Sequence, residues 1–130
     1  NELKFAESYI YLMKIRYNDA LHVHMRIEPQ YRTYKMVPFG LQILIENAIK
    51  HNVITRKYPL SIIIETTPNG SVIVENNIQP KHSTTESRGL GLSNLNERYR
   101  LMFNKEIIIR PNNTKFIVEI PLIENKDILK

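Results

Sequence analysis

The chain has 130 residues, a length that suits one domain with a substantial core but not two. Its net charge of +5 comes from 18 lysines and arginines against 13 acidic residues. The basic residues are scattered with no basic run, which favours solubility and attraction for a polyanion over nucleic-acid binding. Cysteine is absent, which excludes disulfides and thiolate sites and favours an intracellular location. No apolar run reaches the length of about 18 residues that a membrane-spanning helix needs.

The first part of the chain predicts a helix followed by a strand. Apolar residues recur at three- and four-residue steps between Leu3 and Tyr17, so residues 2–17 are predicted to form a helix that covers the core. Residues 21–27 alternate between apolar and polar, which is typical of a half-buried strand. His22 and His24 share the polar face of this strand, but no third ligand is nearby, so we do not expect a metal site there.

The stretch 41–52 organises the rest of the chain. Five apolar residues form one stripe at helical spacing and predict an amphipathic helix: Leu41, Leu44, Ile45, Ala48 and Ile49. Asn47, Lys50 and His51 fall together on another edge of this helix. An amide, an ammonium group and an imidazole on one edge suit the binding of phosphates and a metal ion, although a solvated helix face is the ordinary alternative.

Two strands and a loop follow the central helix. Residues 60–65 and 71–75 are rich in isoleucine and valine and predict strands, and Asn69-Gly70 between them predicts a tight turn. Residues 78–88 carry no apolar periodicity and predict a mobile loop.

The last third of the chain predicts a helix and a hairpin. Residues 88–98 indicate a glycine turn that runs straight into a helix, and this helix is expected to bury four side chains: Leu92, Leu95, Tyr99 and Met102. Residues 106–110 and 115–121 predict the final two strands. The whole order of elements predicts an α+β fold in two layers, with a mixed sheet covered on one face by helices.

Two motifs carry a family resemblance. ENAIKH at 46–51 and GLGLSNLNERY at 89–99 resemble the N box and the second glycine box of sensor histidine kinases, and more narrowly the LytS-like group of the GHKL ATPase superfamily. The similarity covers roughly residues 1–124. It implies the same two-layer sandwich, with a mostly antiparallel sheet. It also implies a helix at 1–20 that leads from the dimerisation region, an ATP-binding catalytic domain at 21–124 and a polar tail at 125–130.

The resemblance assigns roles to individual residues. Asn47 matches the asparagine that holds Mg²⁺, and Lys50 and His51 match the basic pair that stabilises phosphate charge, so these three are the expected catalytic residues. The expected nucleotide-binding residues are Asn47, Lys50, His51, Asn76, Ile78, Gly89, Leu90, Gly91, Leu92, Asn94 and Thr114. Gly89 and Gly91 are expected to permit positive φ and close approach of the phosphates, and Asn94 either reaches a phosphate or caps the helix.

Two departures from the family pattern keep alternatives open. The aspartate-led first glycine box corresponds to residues 76–80, where Asn76 replaces the aspartate and both glycines are gone. Weaker adenine binding is therefore expected, and a degenerate module without kinase activity is one alternative. Ile43 stands where hydrolysing members of the superfamily carry a glutamate base, which argues against the second alternative, an ATP-hydrolysing conformational switch.

The resemblance also implies partners. The expected ligands are ATP and Mg²⁺, and the phosphoryl acceptor is a histidine on dimerisation helices outside these residues. A response regulator is expected downstream, the full protein is expected to be a homodimer, and no nucleic-acid partner is expected. The start at Asn1 suggests a piece of a longer chain, so we expect a cytoplasmic domain of a protein anchored in the inner membrane.

Overall fold

The computed structural model describes residues 2–79 and 88–124 and contains three α-helices and five strands in these ranges. The helices are α1 (Glu2–Tyr17), α2 (Gly40–Lys50) and α3 (Arg88–Phe103). The strands are β1 (Leu21–Arg26), β2 (Leu60–Thr67), β3 (Ser71–Asn77), β4 (Ile108–Pro111) and β5 (Lys115–Pro121). Short 3₁₀ turns lie at Asn18–Ala20 and Pro29–Tyr31.

The five strands form one mixed sheet in the order β1-β2-β3-β5-β4. β1 pairs with β2 in parallel, and the other three pairings are antiparallel. The parallel pair needs a crossover, and the segment between β1 and β2 supplies it with α2. The predicted mixed, mostly antiparallel sheet is therefore confirmed.

The helices cover one face of this sheet. All five residues of the α2 stripe are buried, as the periodicity predicts. Strand side chains that alternate toward the helices complete the core: Ile62, Ile64, Val72, Val74, Val118 and Ile120. α1 adds Ala6 to this core, and its other seam residues pack against it partly buried, which confirms the core-covering helix.

Two details differ from the sequence predictions, and one expected turn is confirmed. The final hairpin begins at Ile108 and not at residue 106, and Ile108 and Ile109 are exposed because β4 is an edge strand. Met102 is exposed, and Phe103 takes the inward place instead, with its ring centroid 6.1 Å from that of Tyr99. The expected turn at Asn69-Gly70 is confirmed, and Gly70 adopts a φ of 79° there.

An unusual backbone conformation fixes the start of α2. Phe39 precedes the helix with a φ of 63°, a left-handed conformation that costs a residue with a Cβ about 1–2 kcal/mol. Its N–H donates to the Glu2 carboxylate at 2.6 Å, and its ring packs against Phe5 at 5.4 Å between centroids. Arg98 of α3 donates to the neighbouring Pro38 carbonyl at 2.6 Å. All three helices therefore meet where α2 begins.

Candidate functional site

The C-terminal half of α2 carries the three polar residues that the sequence singled out. Asn47 is half-buried, Lys50 is exposed, and His51 is 3% exposed just after the helix ends. The predicted clustering on one edge thus combines groups in very different environments. Ile43, one turn before Asn47, is half-buried against the core and offers no proton acceptor.

The neighbouring carboxylate, Glu46, makes its contacts on another side of α2. Glu46 is exposed and accepts a hydrogen bond from the Gln42 side-chain amide at 3.0 Å. Burial raises the pKa of the Tyr9 phenol on α1, and the negative charge of Glu46 raises it further. Glu46 therefore lies on the α1 side of α2 and is not directed toward the edge of Asn47.

Asn52 ties the end of α2 to the segment that follows β3. Its side chain is 1% exposed and donates through Nδ2 to the Ala48 carbonyl at 2.7 Å. Its Oδ1 accepts from the Gln79 N–H at 2.6 Å. Gln79 in turn accepts from the Val53 N–H at 2.7 Å, and its side chain donates to the Val53 and Tyr58 carbonyls. Four hydrogen bonds thus join Gln79 to Asn52, Val53 and Tyr58, and a fifth ties Asn52 to the last turn of α2.

Asn76 is buried at the end of β3, on the face of the sheet that the helices cover. It is 3% exposed, and its Nδ2 donates to the Asn77 carbonyl at 2.8 Å. With the amide nitrogen used in this way, Oδ1 is the atom through which the side chain can accept a hydrogen bond from a ligand. Asn77 faces the other way and binds the start of β2 through the Ser61 N–H and the Pro59 carbonyl.

The backbone brings two further candidate residues together. The Ile78 N–H donates to the Thr114 carbonyl at 2.9 Å, so the turn between β4 and β5 lies beside the end of β3. Asn112 supports this turn by accepting from both the N–H and the hydroxyl of Thr114. Thr114 itself is exposed. Ile78 and Gln79 are therefore anchored, and the predicted mobile loop otherwise falls on residues 80–87, outside the described residues.

The second glycine motif lies inside α3 and not in a turn before it. α3 begins at Arg88, so Gly89 and Gly91 belong to its first turn, and the predicted glycine turn is wrong. A Cβ built on Gly91 meets no heavy atom within 4 Å. No packing inside the described protein therefore requires a glycine at this position. Leu92 is buried in the core, while Asn94 is exposed in the helix interior, which rules out the helix cap that was its alternative role.

The orientation of α3 directs its first turn toward the polar half of α2. Leu95 lies 3.6 Å from the position of a Cβ on Gly40, and Arg98 contacts the carbonyl just before α2. Later residues of α3 thus contact the start of α2, so the two helices run antiparallel. The α3 N-terminus is the positive end of the helix dipole, and its first-turn N–H groups have no acceptor within the helix. It is directed toward the later turns of α2.

Sequence reasoning missed Asn52 and Gln79 as organisers of this region. The available signal was a second amide directly after the motif at 46–51, at a position where a helix ends. His22 and His24 are both exposed on β1, and the described residues contain no group of three or more histidine, cysteine or acidic side chains that would hold a metal. Within the same residues, no helix is long and apolar enough to cross a membrane.

Comparison with known proteins finds sensor histidine kinases among the relatives of this chain. The chain is 32% identical over 129 residues to the LytS sensor histidine kinase/phosphatase of Staphylococcus aureus (strain MRSA252). The match covers 87% of this chain and 22% of that protein, so the chain spans about a fifth of the length of the curated relatives it matches. No family model matches the chain.

Solved structures show the same fold. The nucleotide-free catalytic domain of histidine kinase ThkA has a TM-score of 0.60 at 18% identity, covering 95% of this chain and 96% of that one. The mycobacterial sensor histidine kinase MprB has a TM-score of 0.53 at 11% identity, with 93% and 94% covered. Full-length ShkA in complex with AMPPNP has a TM-score of 0.52 at 13% identity and covers 91% of this chain and 29% of that one.

Proposed function

We propose that this chain, a homologue of the LytS sensor histidine kinases with the fold of a histidine kinase catalytic domain, is the ATP-binding domain of such a kinase. In this proposal it binds Mg·ATP and transfers the γ-phosphoryl group to a histidine outside the 130 residues. The complex of ShkA with AMPPNP supports the choice of a nucleotide ligand.

The orientation of the Asn76 amide carries the proposal. Because its Nδ2 is held by the Asn77 carbonyl, Oδ1 is left to accept a hydrogen bond. The exocyclic amino group of adenine is a donor that fits this acceptor. A keto group at the same ring position is itself an acceptor, so its oxygen would repel Oδ1. Thr114 and Ile78, joined through their backbone, form the neighbouring wall of the proposed adenine site.

Asn47 is the proposed ligand for Mg²⁺. Its amide offers a hard oxygen at the half-buried edge of α2, and Mg²⁺ commonly takes one or two protein oxygens together with phosphates and waters. The described residues contain no larger cluster of ligating side chains, which suits this mode of binding. When bound, the ion neutralises charge that develops on the phosphates.

The chain's own groups would complete the phosphate site. Lys50 is exposed and places an ammonium group on the same edge as Asn47, and His51 lies at the end of that edge. First-turn N–H groups of α3, near Gly89 and Gly91, would donate to phosphate oxygens. The open space at Gly91 supports a close approach there, because no atom of the described residues lies within 4 Å of a Cβ at this position.

Transfer to an imidazole fits the site better than hydrolysis does. Water needs a base to remove its proton, and the apolar Ile43 stands at the position where hydrolysing relatives in the superfamily carry that base. A neutral imidazole attacks through a nitrogen that carries no proton, so no base is needed at this position. Catalysis would then depend on positioning and charge neutralisation, and the dimerisation helices and a response regulator would be the partners.

The test compares ATP with inosine triphosphate, which carries a keto group in place of the adenine amino group. Calorimetry with Mg²⁺ should show ATP binding tighter by about tenfold, the effect of roughly 1.4 kcal/mol. Asn76→Ala should reduce this preference to less than about twofold, while Asn94→Ala should retain it. Equal affinities for the two nucleotides in the unchanged protein would refute the role of Asn76.

A transfer assay separates the kinase from a degenerate binding module. The loss of both glycines after Asn76 is the feature that favours the module. The chain is mixed with labelled ATP and a separately produced segment that carries the dimerisation helices and acceptor histidine of the same protein. Acid-labile phosphate on that segment supports the kinase. Binding of ATP with neither transfer nor loss of the γ-phosphate would identify the module, and rapid hydrolysis without transfer would identify the switch.

A further inference from the structure

A cavity lies at the opposite end of the sheet from the proposed nucleotide site. It has a volume of about 530 Å³ and is bounded by the start of α1, the segment 27–38, the start of β3 and Leu122. Val72, in its wall, and Asn76 are four residues apart on the same strand, a separation of roughly 13 Å. The cavity is therefore separate from the site at the end of β3.

The floor of this cavity is apolar, and one side is firmly held. Its floor consists of side chains that are themselves buried in the core: Ile27, Met36, Val72 and Leu122. Tyr31 and Tyr34 form one side and meet edge to face, with ring centroids 5.1 Å apart. The Tyr31 hydroxyl donates to the Pro68 carbonyl at 3.3 Å, and the Tyr34 hydroxyl donates to the Glu124 carboxylate at 2.7 Å. Both rings are thus fixed at their outer ends.

The rim of the cavity carries two positively charged side chains. Arg32 and Lys35 are both exposed and both line the opening. The ion pairs among the described residues use other cations, and the one carboxylate in the lining, Glu2, accepts the hydrogen bond from the Phe39 N–H. Among the described residues, Arg32 and Lys35 form no ion pair, so an anionic group at the rim would meet these two cations against the single negative charge of Glu2.

We propose that this cavity binds a small amphipathic carboxylate, with its apolar chain inside and its carboxylate at Arg32 and Lys35. The volume lies in the range of ordinary ligand sites, and an apolar pocket with a few convergent polar groups is their usual composition. A guanidinium group is a good carboxylate partner because its planar donors can bind both oxygens. The proposal is independent of the nucleotide site, since it uses none of the same residues.

The test uses decanoate as the probe and decylammonium as its cationic match in chain length. Both are titrated below their micellar concentrations into ¹⁵N-labelled protein, and amide shifts are followed by NMR. Decanoate should shift the amides of residues 31–36 and of Val72 and Leu122, and it should bind at least about fivefold more tightly than decylammonium. The double variant Arg32→Gln/Lys35→Gln should weaken decanoate binding about threefold to tenfold, as expected for two exposed ion pairs.

A charge-matched control makes the result specific. Arg56→Gln/Lys57→Gln removes the same charge from the exposed loop before β2 and should leave decanoate affinity unchanged. Because all four positions are exposed, neither variant should alter the fold, and the amide spectrum checks this. The proposal is overturned if decanoate fails to bind at millimolar concentration, if decylammonium binds equally well, if both double variants behave alike, or if the shifts fall on the exposed face of α1 instead.

Discussion

Replacement of Asn52 by alanine tests the link between α2 and the segment after β3. Its side chain makes two hydrogen bonds, to the Ala48 carbonyl at 2.7 Å and from the Gln79 N–H at 2.6 Å, in a place that is 1% exposed. A typical hydrogen bond contributes about 0.5–1.5 kcal/mol, and an unsatisfied buried partner costs about 1–3 kcal/mol. Loss of both should lower the free energy of unfolding by about 2–4 kcal/mol.

Urea unfolding followed by circular dichroism measures this loss. Asn52→Ala should shift the midpoint to lower urea without a change in the m-value, because the surface exposed on unfolding hardly changes. In hydrogen exchange, the Gln79 amide should lose protection more than the amides of β2 do, since its acceptor has been removed. Asn94→Ala, at an exposed position in α3, is the control and should stay within about 0.5 kcal/mol.

A loss of less than about 1 kcal/mol in Asn52→Ala, with an unchanged m-value, would contradict the role of the Asn52 amide. That result would mean that water or a rearranged backbone satisfies Ala48 and Gln79 without the amide. A large loss of stability with full protection at Gln79 would also contradict it, because the destabilisation would then come from elsewhere in the core.

Three further predictions concern the nucleotide site and the core. Asn47→Asp should weaken Mg-dependent ATP binding in calorimetry or abolish transfer, because a new charge alters the metal and phosphate geometry together. The control Asn69→Asp, in the distant β2-β3 turn, should change neither binding nor transfer. In urea unfolding, Gly91→Ala should stabilise the chain by about 0.5–1 kcal/mol, whereas Gly70→Ala should destabilise it by about 1–2 kcal/mol because of its φ of 79°. In calorimetry, Gly91→Ala should nevertheless weaken ATP binding. Unchanged ATP affinity in this variant would count against a close approach of the phosphates to Gly91. Burial raises the pKa of the Tyr99 phenol, so the folded protein keeps a proton that the unfolded chain loses above about pH 10. This contribution to stability is full below that pH and is lost as the pH rises further. Tyr99→Phe should lower the free energy of unfolding by about 1 kcal/mol at pH 8, and its free energy of unfolding should fall less between pH 8 and 10.5 than that of the unchanged protein. An identical fall in both proteins would contradict the raised pKa of Tyr99.

Local pattern alone was enough to predict most of the secondary structure. The α2 stripe repeats with the period of a helix, and the alternation in residues 21–27 repeats with the period of a strand. These periods follow from backbone geometry, so each element could be recognised without its neighbours. The two motifs at 46–51 and 89–99 likewise predicted a similarity to LytS-like sensor histidine kinases, and the chain is 32% identical to LytS over 129 residues.

The candidate site was predictable only in part. The sequence placed Asn47, Lys50 and His51 on one helix edge, and the structure keeps them there with different burial. It did not predict that Asn76 would turn its amide nitrogen to Asn77, because that choice depends on a carbonyl fixed by the pairing of β3 with β5. Whether an amide accepts or donates toward a ligand is decided by its neighbours.

Tertiary structure alone decided which distant residues meet. Asn52 and Gln79 are 27 positions apart and join only because α2 packs on the face of the sheet from which the chain leaves β3. Phe103, and not Met102, turns inward because the Tyr99 ring lies beside it at the end of α3. The cavity at the other end of the sheet draws its wall from α1, the 27–38 segment, β3 and Leu122, which no periodicity relates. Periodicity reports which face of an element is apolar, whereas the partner of that face depends on the packing of the whole chain.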